Sequence, residues 1–173
     1  SPSVMREIGR LREEAFRGAG GGTGQPTDID ADDLAEGGYR QLIVWDPHAR
    51  EIIGGYRYIV STTSHPDNVS TEHYFTFSDR FRRDYLPWVI ELGRSFVQPR
   101  YQGRTGGIKS LYALDNLWDG LGALVVRFPE ARYFLGKVTM YPGYNVDARE
   151  ELRYFLDKYF GDRDALVSPR NPL

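Results

Sequence analysis

Glu91-Leu92-Gly93-Arg94-Ser95-Phe96-Val97-Gln98-Pro99-Arg100-Tyr101-Gln102-Gly103-Arg104-Thr105-Gly106-Gly107-Ile108-Lys109-Ser110-Leu111 takes the chain from a strand through a glycine-rich turn into a long helix. Around its start, Ile90 and Leu92 alternate with Glu91 and Gly93, the period of a strand, so Trp88 to Val97 reads as one. Pro99 interrupts it, and Arg100 to Gly107 is rich in Gly and Arg. From Ile108 to Phe128, the residues Ile108, Leu111, Trp118, Leu121 and Val125 fall on one helical stripe, and Pro129 ends the helix. The first N–H groups of such a helix have no intrahelical acceptor and lie at the positive end of its dipole. That end suits a phosphate group, and Arg100, Arg104 and Lys109 add charge around it. The same features read equally well as a plain strand-to-helix connection with solvated arginines. A nucleotide P-loop is excluded because the Gly-Lys-Ser/Thr ending is missing, and the glycine spacing does not fit a dinucleotide fingerprint.

Working outward, Val4, Ile8, Leu11 and Ala15 are spaced as one helix face between Val4 and Phe16, and Gly18-Ala19-Gly20-Gly21-Gly22 stops that helix. Thr23 to Gly38 is acidic and turn-rich, with a short helix expected after Asp30 as its N-cap. Tyr39–Asp46 and Glu51–Ser61 form a hairpin around Asp46-Pro47-His48-Ala49-Arg50. Gly54-Gly55 inside it marks a bulge or a close backbone approach. Ser61 to Asn68 is a loop, and Val69 to Asp84 a short, partly helical excursion. Beyond the long helix, Tyr133 to Met140 reads as a strand, Asn145 to Phe160 as an amphipathic helix and Ser168 to Leu173 as an irregular tail. The expectation is an α/β fold, a mixed central sheet flanked by helices, in a single domain over 1–173. The order closes without a final strand pair, which leaves room for a missing C-terminal part or for a dimer.

Composition removes several function classes. Twenty-two Lys and Arg against 24 Asp and Glu give a net charge of −2, without the basic excess of a nucleic-acid coat, so no nucleic-acid partner is expected. The absence of cysteine excludes disulfide scaffolds, thiolate zinc sites and cysteine nucleophiles. His48, His65 and His73 are not at metal-ligand spacing, and no metal site is read. The Ser1-Pro2-Ser3-Val4-Met5-Arg6-Glu7 start lacks a basic-then-apolar leader, which reads as cytoplasmic.

Val97-Gln98-Pro99-Arg100-Tyr101-Gln102-Gly103-Arg104-Thr105-Gly106-Gly107 resembles the acyl-donor loop of the GNAT acyltransferase superfamily, with Thr105 where a glycine is usual. Glu91-Leu92-Gly93-Arg94-Ser95-Phe96-Val97 resembles the Glu-x-x-Arg-x-x-Val signature of its lipid-making branch, some members of which carry a hemolysin label. Leu11 to Phe16, Gly54-Gly55-Tyr56-Arg57, Asn116 to Leu124 and Tyr133 to Tyr141 are similar to further family segments, the last two to the Bacteroidetes form associated with glycine lipids. The resemblance implies an N-acyltransferase. It would move a 3-hydroxy fatty acyl group from acyl carrier protein, or from acyl-CoA, to the α-amine of glycine or ornithine, the first step of an amino-acid lipid. No tightly bound cofactor is implied, only an acyl-phosphopantetheine donor. Alternatives are an acyl-homoserine-lactone-synthase-like enzyme, whose Arg-acid-Glu-Arg layout is similar, and a donor-binding module without catalysis.

The resemblance also distributes roles. Glu91 and Arg94 are the expected catalytic pair. A carboxylate set mid-strand among apolar residues loses solvation and becomes a better base, although a salt bridge to Arg94 or Arg57 would explain it too. Arg94 orders the site or holds the acceptor's carboxylate, the other reading being a structural ion pair. It points away from Glu91 on an ideal strand unless Gly93 carries a bulge. Arg12, Arg57 and Ser95 are expected at the substrate. Val97, Gln102, Gly103, Arg104, Gly106 and Gly107 are expected at the donor, with the N–H groups following Ser95 and Phe96 on the thioester carbonyl. Asp28 and Asp30 align with an acidic pair of the family, but the residues themselves read as solvated loop and helix cap. Arg100, Arg104 and Lys109 would steer an acidic carrier protein. Arg80, Arg82 and Arg83 read either as a peripheral contact with anionic lipid or, preferably, as a solvated cluster. Tyr74, Phe75, Phe77, Phe81 and Tyr85 would wall an acyl tunnel or simply pack a core.

Overall fold

The computed structural model describes residues 1–61, 69–103 and 107–172. In chain order, helices α1 (Pro2–Gly18) and α2 (Ala31–Leu34) precede the hairpin β1 (Arg40–Asp46) and β2 (Glu51–Val60). After a 3₁₀ turn at Ser70–His73 come β3 (Phe75–Phe77), α3 (Asp79–Asp84) and β4 (Val89–Val97). Helix α4 (Ile108–Arg127), β5 (Tyr133–Leu135), α5 (Val146–Phe160) and β6 (Val167–Pro169) complete the chain.

Among the described residues the main sheet runs β1-β2-β4-β5. The first three strands are antiparallel neighbours, and β5 joins β4 in parallel, so the sheet is mixed as expected. Gly54 and Gly55 lie where three backbones converge. A Cβ on Gly54 would sit 2.6 Å from the Phe96 carbonyl oxygen, and one on Gly55 would collide with that of Leu42. Helix α4 covers one face of the sheet through Leu117 and Leu124, which pack with Val44, Tyr56, Tyr58, Val60 and Ile90. Helix α1 covers the other through Ile8, Leu11 and Ala15 against Ile52 and Phe96. A third cluster of Tyr39, Ile59, Val69, Phe77, Phe81 and Leu86 closes the end where α3 lies.

Five expectations are corrected. The strand at Tyr133 stops at Leu135 instead of reaching Met140, because the chain leaves β4 there. The tail is not wholly irregular, since β6 pairs antiparallel with β3, Phe77 opposite Val167. The segment from Val69 likewise holds a strand as well as helical turns. Finally, the apolar stripe of α4 is not its buried face: Ile108, Leu111, Trp118 and Val125 are exposed, Trp118 by 73 %, while Ala113, Leu117 and Leu124 are buried. The glycine at 120 explains the rotation, because α4 approaches Leu42 and Tyr56 so closely there that a Cβ would stand 2.8 Å from the Tyr56 hydroxyl. The apolar positions of α5 are also exposed.

Candidate active site

The register of β2 on β4 shows how the site is shaped. Arg57 lies opposite Gly93 and Gly55 opposite Phe96, so Arg94 and Ser95 on β4 face the single residue Tyr56 on β2. This is a β-bulge. Arg94 takes the left-handed conformation, φ 51°, which costs a non-glycine residue roughly 1–2 kcal/mol. Gly93 contributes space as well, because the Arg57 side chain lies alongside it, its Nε 3.5 Å from where a Cβ would be. The bulge turns Arg94 onto the side where α1 and the following loop lie. There it pairs with Asp28 and, at 2.7 Å, with Asp30.

Arg12, Arg57 and Arg94 thus meet in one cluster. Arg12, fully buried, donates to both oxygens of Asp33, at 3.0 and 3.2 Å, and to the Gln41 side-chain oxygen. Gln41 in turn donates to Asp33 at 2.9 Å. Arg57 binds both oxygens of Asp30 at 2.8 Å and lies over the Tyr39 ring, 4.3 Å from its centre. Asp30 is the α2 N-cap, as expected, and shares a capping box with Asp33. Asp28, by contrast, is not in a solvated loop: its side chain is 2 % exposed, and its N–H is tied to the Gly9 carbonyl. Burial works to raise the Asp30 carboxyl, but Arg57 together with the hydrogen bonds to Asp33 more than offsets it and holds the group below the usual carboxylate range. Arg94 is pulled below the usual arginine value, by burial first and then by Arg12. Removing one member of such a buried set costs about 3–5 kcal/mol, since its partner is left charged and uncompensated.

Glu91 stands beside this cluster on the same strand, linked to it through Tyr39. Its carboxylate is 1 % exposed and accepts from five donors. These are the Tyr39 hydroxyl, the Ser70 N–H at 2.8 Å, the Ser70 hydroxyl at 3.2 Å, the Thr71 N–H at 2.7 Å and the Thr71 hydroxyl. An ionised carboxylate offers about four lone-pair sites, so these donors saturate it. Neither Arg94 nor Arg57 pairs with it. Burial and the neighbouring Glu91 charge raise the Tyr39 phenol well above its ordinary value.

The donor-loop residues occupy the far end of β4. Val97 is half-buried, and its carbonyl accepts from the Gln102 side chain at 2.6 Å, closing the loop on itself. Gly103 is exposed, and Gly107 takes φ 54° at the head of α4, where no side chain caps the helix. Arg104 and Gly106 lie outside the described residues. Ser95 is exposed on the bulge. β5 pairs with β4 only as far as Leu135 opposite Glu91, so from Leu92 onward that edge of β4 has no strand beside it among the described residues.

The other expected surfaces are engaged within the protein. Arg100 pairs with Glu51, and Lys109 lies 3.6 Å from Asp46, so these two cations are balanced locally. Arg80, Arg82 and Arg83 each pair as well, with Asp164, Glu72 and Asp84. Phe77, Phe81 and Tyr85 pack ring on ring, with Phe77 and Phe81 4.6 Å apart in a core. Among the described residues no group of His, Asp and Glu could hold a metal ion, and no helix is long and apolar enough to cross a membrane. Sequence reasoning missed Tyr39, Ser70 and Thr71, the donors to Glu91, because each comes from a segment remote in the chain.

A mixed sheet with a bulged β4, a diverging β5 and a helix opening on glycine defines a class. The chain belongs to the GNAT family: the description "Acetyltransferase (GNAT) domain" matches residues 11–111. It is 54 % identical, over 178 residues, to a protein of Phocaeicola vulgatus and 57 % identical, over 178, to one of Bacteroides thetaiotaomicron, each named Glycine N(alpha)-acyltransferase. The whole of this chain is matched, but it covers 55 % and 53 % of theirs, so it spans about half the length of these curated relatives. A solved structure titled "Crystal structure of TofI in a ternary complex with an inhibitor and MTA" superposes with a TM-score of 0.51 at 17 % identity, over 79 % of this chain and 65 % of that one. That likeness speaks for the fold alone.

Proposed function

We propose that the protein is an N-acyltransferase that moves a fatty acyl group, 3-hydroxylated in its preferred form, from a phosphopantetheine thioester to the α-amine of glycine. The donor is acyl carrier protein, with acyl-CoA as the lesser substrate, and the product is the first intermediate of an amino-acid lipid. The observation that carries this reading is the bare edge of β4 from Leu92 onward, set between the Arg94 bulge and the glycine-headed α4. An extended pantetheine arm carries amide groups that can pair with such an edge as an added strand would. Its phosphate then reaches the open N–H groups at the start of α4. The names of the two relatives support glycine as the amine.

In this reading the amine nitrogen attacks the thioester carbonyl carbon, the C–S bond breaks, and the sulfur leaves as a thiol with the proton the amine gives up. Backbone N–H groups at Ser95 to Val97 stabilise the oxyanion. Arg94 fixes the bulge that aims them, through Asp28 and Asp30. Arg12 and Arg57 hold the α2 segment that supplies those aspartates. Glu91 keeps Tyr39, Ser70 and Thr71 in place beside the reacting centre and sets a negative potential there. Mass spectrometry of a reaction holding the protein, 3-hydroxyacyl carrier protein or acyl-CoA, and glycine with ornithine in competition tests the proposal. N-acylglycine as the dominant product is expected. An acylated ornithine product, or no acylated amine with either donor, rejects it.

A further inference from the structure

The cations around the site are each answered by a carboxylate, with one exception. Arg12 answers Asp33, Arg57 answers Asp30 and Asp33, and Arg94 answers Asp28 and Asp30. Glu91 meets only neutral donors. The exception is Lys137, two residues past the end of β5, where the chain has just left β4 and a Cβ on Gly136 would still lie 3.4 Å from the Leu92 carbonyl oxygen. Its ammonium lies 4.3 Å from the centre of the Tyr74 ring. Tyr74 is fixed by its N–H to the Thr71 carbonyl at 3.1 Å, and Thr71 is one of the residues that bind Glu91. Through Tyr74, Lys137 lies beside the segment that binds Glu91 and is close enough to feel its charge. It forms no ion pair among the described residues. Lys137 is exposed, and partial burial, opposed by Glu91 and reinforced by Arg57 and Arg94, draws it below the ordinary lysine value.

An amino acid brings two charges, an ammonium and a carboxylate. The guanidinium forks of Arg57 and Arg94 are already engaged by aspartates, so neither is open to the carboxylate. We infer that Lys137 binds the carboxylate of the amino-acid acceptor, with Tyr74 as the floor under its ammonium, and thereby selects α-amino acids over simple amines. A compact ammonium with three donors suits a small carboxylate held at one point. The acceptor's own nitrogen is then directed toward the side where Glu91 and Asp30 place negative charge. This rests on the N-acyltransferase reading and specifies how its acceptor is held.

The test separates the two. Isotope-labelled glycine and glycinamide, which lacks the carboxylate, are titrated into the protein by NMR in the presence of coenzyme A, for the wild type, Lys137→Met and Lys137→Arg. The wild type is expected to prefer glycine by about ten- to a hundredfold, as loss of a hydrogen bond to a charged group predicts. Lys137→Met should bring the two ligands to within about twofold, and Lys137→Arg should keep most of the preference. In the transfer assay the same change should appear in KM for glycine more than in kcat. Equal binding of the two ligands by the wild type, or a preference that survives Lys137→Met, overturns the assignment. Failure of the wild type to form any N-acylglycine rejects the enzymatic reading instead, whatever the titration shows.

Discussion

Replacing Glu91 by Gln removes one formal charge and almost no volume, so its effect can be worked from the five donors around it. An amide has one acceptor oxygen, and its nitrogen donates. Two of the five donors are backbone N–H groups, which cannot turn round. The Ser70 N–H has a second acceptor in the Tyr39 oxygen, at 2.7 Å, whereas Thr71 N–H depends on the side chain at 91. The amide oxygen therefore goes to Thr71, and the NH₂ group is left facing the Ser70 N–H and Tyr39. The hydroxyls can reorient, but the charge-assisted character of every bond is lost. A hydrogen bond to a charged group contributes about 1.5–3 kcal/mol, and a buried donor left facing another costs about 1–3 kcal/mol. A net loss of about 3 kcal/mol is expected. That is a fall in Tm of roughly 6–12 °C for a domain of this size, with the urea m-value unchanged. Acyl transfer should fall with it. If Glu91→Gln unfolds at the wild-type urea midpoint, the donors do not need the carboxylate. A variant of unaltered stability whose transfer rate drops about 10²–10⁴-fold would instead make Glu91 the proton acceptor.

Two further outcomes concern stability. The Glu13 carboxyl is depressed to about 2 from an ordinary 4.5, chiefly by the Thr23 hydroxyl, with the N–H groups of Thr23 and Gly24 and the Arg17 guanidinium adding to it against burial. Because the folded value is the lower one, the stabilisation is complete above the unfolded value and disappears as pH falls through the folded one. Urea midpoints measured from pH about 5 down to about 2 should fall less steeply for Glu13→Gln than for the wild type, and parallel curves would contradict this. At Gly54, a Cβ would stand 2.6 Å from the Phe96 carbonyl oxygen and 3.2 Å from the Val97 Cα, both backbone atoms that cannot swing aside. Gly54→Ala should cost roughly 1–3 kcal/mol in thermal unfolding, and a variant as stable as the wild type would show that β2 and β4 can part there.

The elements that were legible in the sequence are those whose pattern is local. The hairpin, β4, α1 and the Asp30 cap follow from alternation, helical spacing and one side-chain oxygen, and each lies within a few residues of its expected bounds. The inward face of α4 was not legible, because the helix carries two apolar stripes and the choice between them is made by Gly120 against Tyr56, a contact between distant segments. The same holds for the site. Arg12, Arg57 and Arg94 could be named as a group by resemblance, but Asp28 looks like any loop aspartate until the bulge at Arg94 brings a guanidinium to it. The saturation of Glu91 depends on Ser70 and Thr71, which nothing in their own neighbourhood singles out.

The pairing of β6 with β3 fastens a segment of the site by a strand about ninety residues further along the chain. Ser168 and Val167 lie against Thr76 and Phe77, and Arg170 donates from its backbone to Tyr74 and from its side chain to the Glu72 carbonyl. The segment so fastened, residues 70–77, contains Ser70 and Thr71, two of the three residues that donate to Glu91, and the ring beneath Lys137. During synthesis, Glu91 leaves the ribosome well before Arg170 does, by several seconds at roughly 5–20 residues per second. Throughout that interval the nascent chain has its central carboxylate but lacks the strand that fastens its donors. The arginine–aspartate cluster draws only on residues up to Arg94, whereas the segment that carries Ser70 and Thr71 gains its strand partner only when residues 167–169 arrive.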